Sequence, residues 1–124
     1  MRAARSGVAQ VFRALGDDTR LRILGLLGVR EACVCELVEL LGISQPAVSE
    51  HLRRLRDAGL VEDERCGVWV FYRRVPAQPA FVRAALEVVE VPADLVARLR
   101  ALPPASACSR MDAAAPAAGV VAQG

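Results

Sequence analysis

The sequence predicts a mainly α-helical domain carrying one small β-hairpin, and three observations predict it. Apolar residues recur at helical spacing in four successive stretches between residues 8 and 58. From Leu60 the period changes to two short runs rich in β-branched and aromatic residues. Helical spacing then resumes beyond Pro76 and Pro79.

Each element has its own signal. Val8, Val11, Phe12 and Leu15 mark the first helix, and Gly16-Asp17-Asp18-Thr19 breaks it and offers N-caps. Leu21, Leu24 and Leu27 form the stripe of a second helix ending near Gly28. A third is expected to start around residues 33–36, run to Leu41 and stop at Gly42. A fourth opens at Ser44, which can cap it, with Pro46 tolerated in the first turn. Its buried face is Val48, Leu52 and Leu55, and Gly59 closes it. Residues 60–64 and 68–74 read as two strands around Arg65-Cys66-Gly67. A helix is expected over residues 81–91, and after Pro92 a shorter one to Leu102. The expected domain is thus residues 1–102. Residues 103–124 are Ala/Pro-rich, expected to be a flexible tail, and carry Cys108.

Bulk properties narrow the function classes. A chain of 124 residues fits one domain with a modest core, which a second copy would help to bury. Hydrophobic residues make up 54%, yet no run approaches the roughly 18 apolar residues of a membrane span. The basic start, Met1-Arg2-Ala3-Ala4-Arg5, leads into no unbroken apolar run, so a cytoplasmic protein without membrane attachment is expected. In that compartment four cysteines argue for thiol chemistry or metal binding over structural disulfides.

Two helices joined by Gly42-Ile43-Ser44 and followed by a hairpin are the order of a winged helix-turn-helix. Such a unit places the N-terminal part of its second helix in a DNA major groove. Ser44 opens that helix. Gln45, Ser49 and Arg53 lie on one stripe beside the buried face, suited to base edges. Arg54 and Arg56 are placed for phosphates, with Arg65 near the tip of the hairpin and Arg73 and Arg74 at its far end. Residues 44–74 hold six arginines against five acids, so charge alone does not separate DNA from a protein partner. His51 borders the core and reads as a structural histidine; Trp69 and Tyr72 read as packing residues.

Leu15-Gly16-Asp17-Asp18-Thr19-Arg20-Leu21-Arg22-Ile23-Leu24 resembles the second-helix signature of the ArsR/SmtB repressors. So do Ser44-Gln45-Pro46-Ala47-Val48-Ser49-Glu50-His51-Leu52 and Leu55-Arg56-Asp57-Ala58-Gly59-Leu60-Val61. The resemblance covers about residues 8–90. It implies a homodimeric repressor that leaves operator DNA when an inducer binds, with a dimer built from the first helix and the helix at 81–91. Cys33-Val34-Cys35-Glu36-Leu37 also resembles the arsenic-sensing branch, whose pattern carries a third cysteine where this chain has Val38. Two ligands carry over, Cys33 and Cys35; Cys108 is the candidate third.

Arsenite, antimonite and cadmium are soft and favour thiolate sulfur. Residues i and i+2 do not face each other on a regular helix, so a Cys-x-Cys chelate wants a helix start or extended chain. A helix start also lowers a thiol pKa. The expected inducer is As(III) or Sb(III), with no cofactor required. Cadmium sensing, or a redox switch in which Cys33 and Cys35, or Cys108, form a disulfide, stays open as the alternative. A thiol oxidoreductase would want Cys-x-x-Cys on a βαβ scaffold, and the sequence offers neither. With one histidine and no Gly-rich phosphate loop, no catalytic site is expected.

Overall fold

A computed structural model describes residues 2–102, with side chains from Gly7 onward; Cys108 and the rest of 103–124 lie outside the described residues. In chain order the elements are α1 (Arg2–Leu15), α2 (Asp18–Leu27), β1 (Ala32–Cys33), α3 (Val34–Leu41), α4 (Gln45–Asp57), β2 (Val61–Cys66), β3 (Trp69–Arg74), α5 (Ala80–Glu87) and α6 (Ala93–Ala101). This is the mainly α architecture with a small hairpin that the periodicity predicts.

The helix boundaries follow capping chemistry. Asp17 accepts a hydrogen bond from the Arg20 amide at 3.0 Å and starts α2. Ser44 accepts one from the Ala47 amide at 3.3 Å and starts α4. Gly42 ends α3 in the left-handed conformation, φ 68°, which a side chain would strain. The α3–α4 pair and the hairpin then enclose a core of Ile23, Leu24 and Leu26 from α2, Leu37 from α3, and Val48, Leu52 and Leu55 from α4. Phe71 from β3, Val82 from α5 and Leu99 from α6 close it. Each such side chain contributes roughly 1.5–3 kcal/mol by leaving water.

Three features go beyond or correct the expected element bounds. First, α3 starts at Val34, inside the expected window, but Ala32 and Cys33 ahead of it form a strand that was not expected, β1, pairing antiparallel to β3 through Ala32–Tyr72 and Cys33–Phe71. The sheet order is β1-β3-β2. Second, the turn of the hairpin is tighter and lies later. Cys66 pairs with Trp69, leaving Gly67-Val68 as a two-residue turn with Gly67 at φ 64°. Third, α5 ends at Glu87, not Val91. The β-branched Val88, Val89 and Val91 lead to Pro92, whose ring disfavours helix at the preceding residue. Val89 and Val91 instead pack over Gly25 of α2, where a methyl group would collide with Val91.

Candidate dithiol site and nucleic-acid interface

The dithiol stands where β1 becomes α3. Cys33 is both the last strand residue and the N-cap of α3, with extended backbone (φ −94°, ψ 166°). Cys35 is the second residue of the helix. That switch from extended to helical chain turns two residues that would diverge on a regular helix toward each other. Their sulfurs lie 2.7 Å apart. This exceeds the roughly 2.05 Å of a disulfide, so the two are free thiols in direct contact, either able to donate to the other. The expectation that the pair stands at a helix start is met, with the strand as an added cause of their approach.

The two sulfurs are unequal. Cys33 is 1% exposed; Cys35 is exposed. The Cys33 thiol donates its hydrogen bond to Cys35, which pushes the Cys33 thiol well above the ordinary range, with burial adding to it. The same bond holds Cys35 below that range. Cys35, the exposed sulfur, is therefore the more acidic of the two. Alkylation by iodoacetamide is expected at Cys35 first. Its rate is expected to fall with pH through a midpoint below the ordinary thiol pKa of about 8.5. In Cys33→Ala the midpoint moves up, because the donor is gone. An unmoved midpoint would contradict that hydrogen bond.

A buried carboxylate fixes the pair. Glu36 is 5% exposed, and Oε1 accepts a hydrogen bond from the Cys33 amide at 3.0 Å. Arg30 donates to both carboxylate oxygens, at 3.2 and 3.0 Å, and also to the Leu99 carbonyl of α6 at 3.1 Å. The strand end, the start of α3 and α6 are thus pinned at one point. Sequence reading missed this pair. Its trace was a glutamate three residues after the N-cap, the spacing of a capping box.

Cys33, Val34 and Cys35 line a groove of about 320 Å³ together with Gln45 and Val68, Trp69 and Val70. The sulfurs therefore share a cleft with the first residue of α4 and with the hairpin. Gln45 in turn donates to Ser49 Oγ at 2.9 Å. Trp69 is a wall of this cleft. Tyr72 packs against the core as expected.

The face of α4 carries the remaining DNA candidates. Arg53 is paired with Glu50 and Asp57, Arg54 with Glu50, and Arg56 with Asp63 at 3.5 Å. All three arginines are exposed, so these pairs are screened and exchangeable for phosphate. Gln10, Arg13, Arg20, Arg53 and Arg54 border one depression of about 580 Å³, which adds Arg13 from α1 to the basic set. Arg65 is exposed next to the hairpin turn. Arg73 sits instead among Glu62, Glu64 and Glu31, and Arg74 donates to the Leu24 carbonyl of α2. His51 stands 3.2 Å from Arg20 and 3.9 Å from Asp17, a structural position tying α4 to the start of α2. Cys66 borders the hairpin turn. Among the described residues no group of three or more His, Cys, Asp or Glu could hold a metal ion. No helix among them is long and apolar enough to cross a membrane.

Fold and site together define a winged helix-turn-helix regulator with a dithiol set against its wing. Residues 17–63 match the family model of the bacterial regulatory proteins of the arsR family. The arsenic resistance transcriptional regulator ArsR1 of Pseudomonas putida is 49% identical over 80 residues, covering 64% of this chain and 62% of ArsR1. ArsR2 of the same organism is 46% identical over 79 residues, 63% of this chain and 69% of ArsR2. Among solved structures, the antimony-specific transcriptional repressor AntR superposes with a TM-score of 0.56 at 35% identity, covering 71% of this chain and 78% of AntR. The chain belongs to the ArsR family, whose members are transcriptional regulators and not enzymes.

Proposed function

We propose that this ArsR-family protein is a homodimeric repressor that holds operator DNA through α4 and the hairpin and releases it when trivalent arsenic or antimony binds Cys33 and Cys35. The observation that carries the reading is the sulfur pair, 2.7 Å apart, opening on the cleft that Gln45 and the wing also line. An inducer held by both sulfurs sits in that cleft, against the strand end, the first turn of α3 and the first residue of α4. Its bulk there bears on how α3 and α4 meet. Similarity to relatives named for arsenic resistance and to an antimony-specific repressor supports the choice of inducer.

Each hydroxide displaced from arsenic leaves as water. Cys35 supplies the attacking thiolate, and Cys33 supplies a proton and then the second sulfur. Cys108 is the proposed third sulfur for arsenite. Ser44, Gln45, Ser49 and Arg53 are the proposed base-reading residues, with Arg54, Arg56 and Arg65 on the DNA backbone; Arg73, predicted there too, is held by Glu31, Glu62 and Glu64. The dimer reading is supported by the apolar face of α1, α5 and the Val88 that follows it. Phe12 and Phe81 stack with centroids 5.2 Å apart, and Phe12 and Val88 are 58% and 76% exposed.

The test uses DNA selected from a random pool by the protein itself. Arsenite is expected to weaken binding roughly 5- to 150-fold, the range of a coupling free energy of about 1–3 kcal/mol. Cys33→Ser/Cys35→Ser protein is expected to bind the DNA and ignore arsenite. Arsenite-driven release from that variant would overturn the assignment. The sulfur contact also favours a second reading, release on disulfide formation. Peroxide in place of arsenite, with mass spectrometry of the thiols, separates the two. Sulfur coordination by X-ray absorption, falling from three to two in Cys108→Ser, would assign the tail cysteine.

A further inference from the structure

Trivalent arsenic has three valences, and the described dithiol fills two. No third His, Cys, Asp or Glu joins the pair among the described residues, and position 38 is an apolar Val38. The space in front of the sulfurs is walled by Val34, Val68, Trp69 and Val70, with Gln45 at the α4 side. At about 320 Å³ it far exceeds the roughly 30 Å³ share of one water, so a lone hydroxyl on arsenic leaves most of it empty. Its lining is aliphatic and indole surface, which offers a hydroxyl little and a carbon substituent a good deal.

We propose that this groove is a subsite for the organic substituent of a monosubstituted trivalent arsenical, R–As(OH)₂, with R from methyl to phenyl. The proposal rests on the reading of Cys33 and Cys35 as inducer ligands. Cys35 thiolate attacks arsenic and one As–O bond breaks; the departing hydroxide takes the Cys33 proton and leaves as water. Cys33 thiolate then forms the second As–S bond, and the second hydroxide leaves as water with a proton from solvent. Two As–S bonds replace two As–O bonds, the As–C bond persists, and no oxidation state changes. R remains as the third substituent and sits between the first residue of the recognition helix and the wing. Its size therefore sets how far Gln45 and Trp69 are held apart, and larger substituents release DNA more completely.

The experiment titrates full-length protein carrying Cys108→Ser with arsenite and with hydrated phenylarsine oxide by calorimetry. Trp69, the single tryptophan, is read in parallel by fluorescence. The groove variant is Val68→Ser/Trp69→Ala, with folding checked by circular dichroism. Because the free phenyl compound has its own preference for dithiols, the decisive quantity is the change in the phenyl-to-arsenite affinity ratio between groove variant and parent. That ratio is expected to fall about tenfold; tenfold corresponds to burial of about half a phenylalanine-sized side chain. Phenyl binding is expected to quench Trp69 and arsenite to leave it nearly unchanged. An unchanged ratio with cysteine-dependent binding would overturn the subsite alone. Binding of either compound that survives Cys33→Ser/Cys35→Ser would overturn the underlying reading instead. If the double variant fails to fold, Val68→Asp serves, since Val68 is 70% exposed in the turn. It puts a charge against the ring and is expected to lower the same ratio; an unchanged ratio there overturns the subsite equally.

Discussion

Phe71→Ala is expected to lower stability by about 3–5 kcal/mol and to dismantle the dithiol as it does so. Phe71 is fully buried and sits in the middle strand, paired with Cys33 on one side and Glu64 on the other. Removing the ring leaves a cavity beneath both neighbours. β1 is only two residues long and is held to the sheet through β3 alone, so it has little else to keep Cys33 in place. Thermal unfolding by circular dichroism at fixed protein concentration should show a midpoint lower by at least about 12 °C, at roughly 4–8 °C per kcal/mol for a domain of this size. The iodoacetamide profile of the surviving folded fraction should lose its distinction between Cys33 and Cys35. Phe71→Leu fills most of the space and should keep that distinction. A midpoint within 3 °C of the parent for Phe71→Ala would show that the strand is not what holds the site.

Arg30→Ala is expected to cost on the order of 3 kcal/mol, and more than Glu36→Gln. Removing one partner of a buried ion pair costs roughly 3–5 kcal/mol because the other charge is stranded, and Arg30 at 26% exposed puts the figure at the lower end. Without Arg30, the Glu36 carboxylate keeps only its bond from the Cys33 amide, and α6 loses its tie at Leu99. Glu36→Gln preserves shape and an oxygen for that amide. The double variant Arg30→Ala/Glu36→Gln should be more stable than the sum of the single losses, since no charge is stranded. Urea unfolding of the four proteins measures this. Strict additivity would show that the two residues do not act as a pair.

The sequence made some of this legible for a clear reason. Capping chemistry is local, so Asp17, Ser44 and Gly42 set the starts and stop of α2, α4 and α3 from their own neighbours. The Val48/Leu52/Leu55 stripe needs only the 3.6-residue period, and all three residues are buried. The Cys-x-Cys spacing likewise demanded a helix start, because the middle of a helix would have sent the two thiols to different sides. Other features had no local signal. A two-residue strand carries no period, so β1 was invisible until Tyr72 and Phe71 of β3 stood beside it. The end of α5 depended on Val89 and Val91 finding Gly25, more than sixty residues earlier in the chain. Arg73 looked like any wing cation until folding set it among Glu31, Glu62 and Glu64.

The sequence by itself determined the order of elements, the helix-turn-helix and the presence of a soft dithiol at a helix start, because each depends on residues within a turn or two of one another. Only the tertiary structure decided what that dithiol can do. Pairing of β1 with β3 buries Cys33 while leaving Cys35 open, so two chemically identical groups differ in access and acidity. Packing of the wing against the start of α4 then places Gln45, Val68 and Trp69 around the sulfurs. Residues 33, 45 and 69 are far apart in the chain. They share one cleft because burial of Phe71 and the α4 stripe draws strand and helix together, and no local rule encodes that distance.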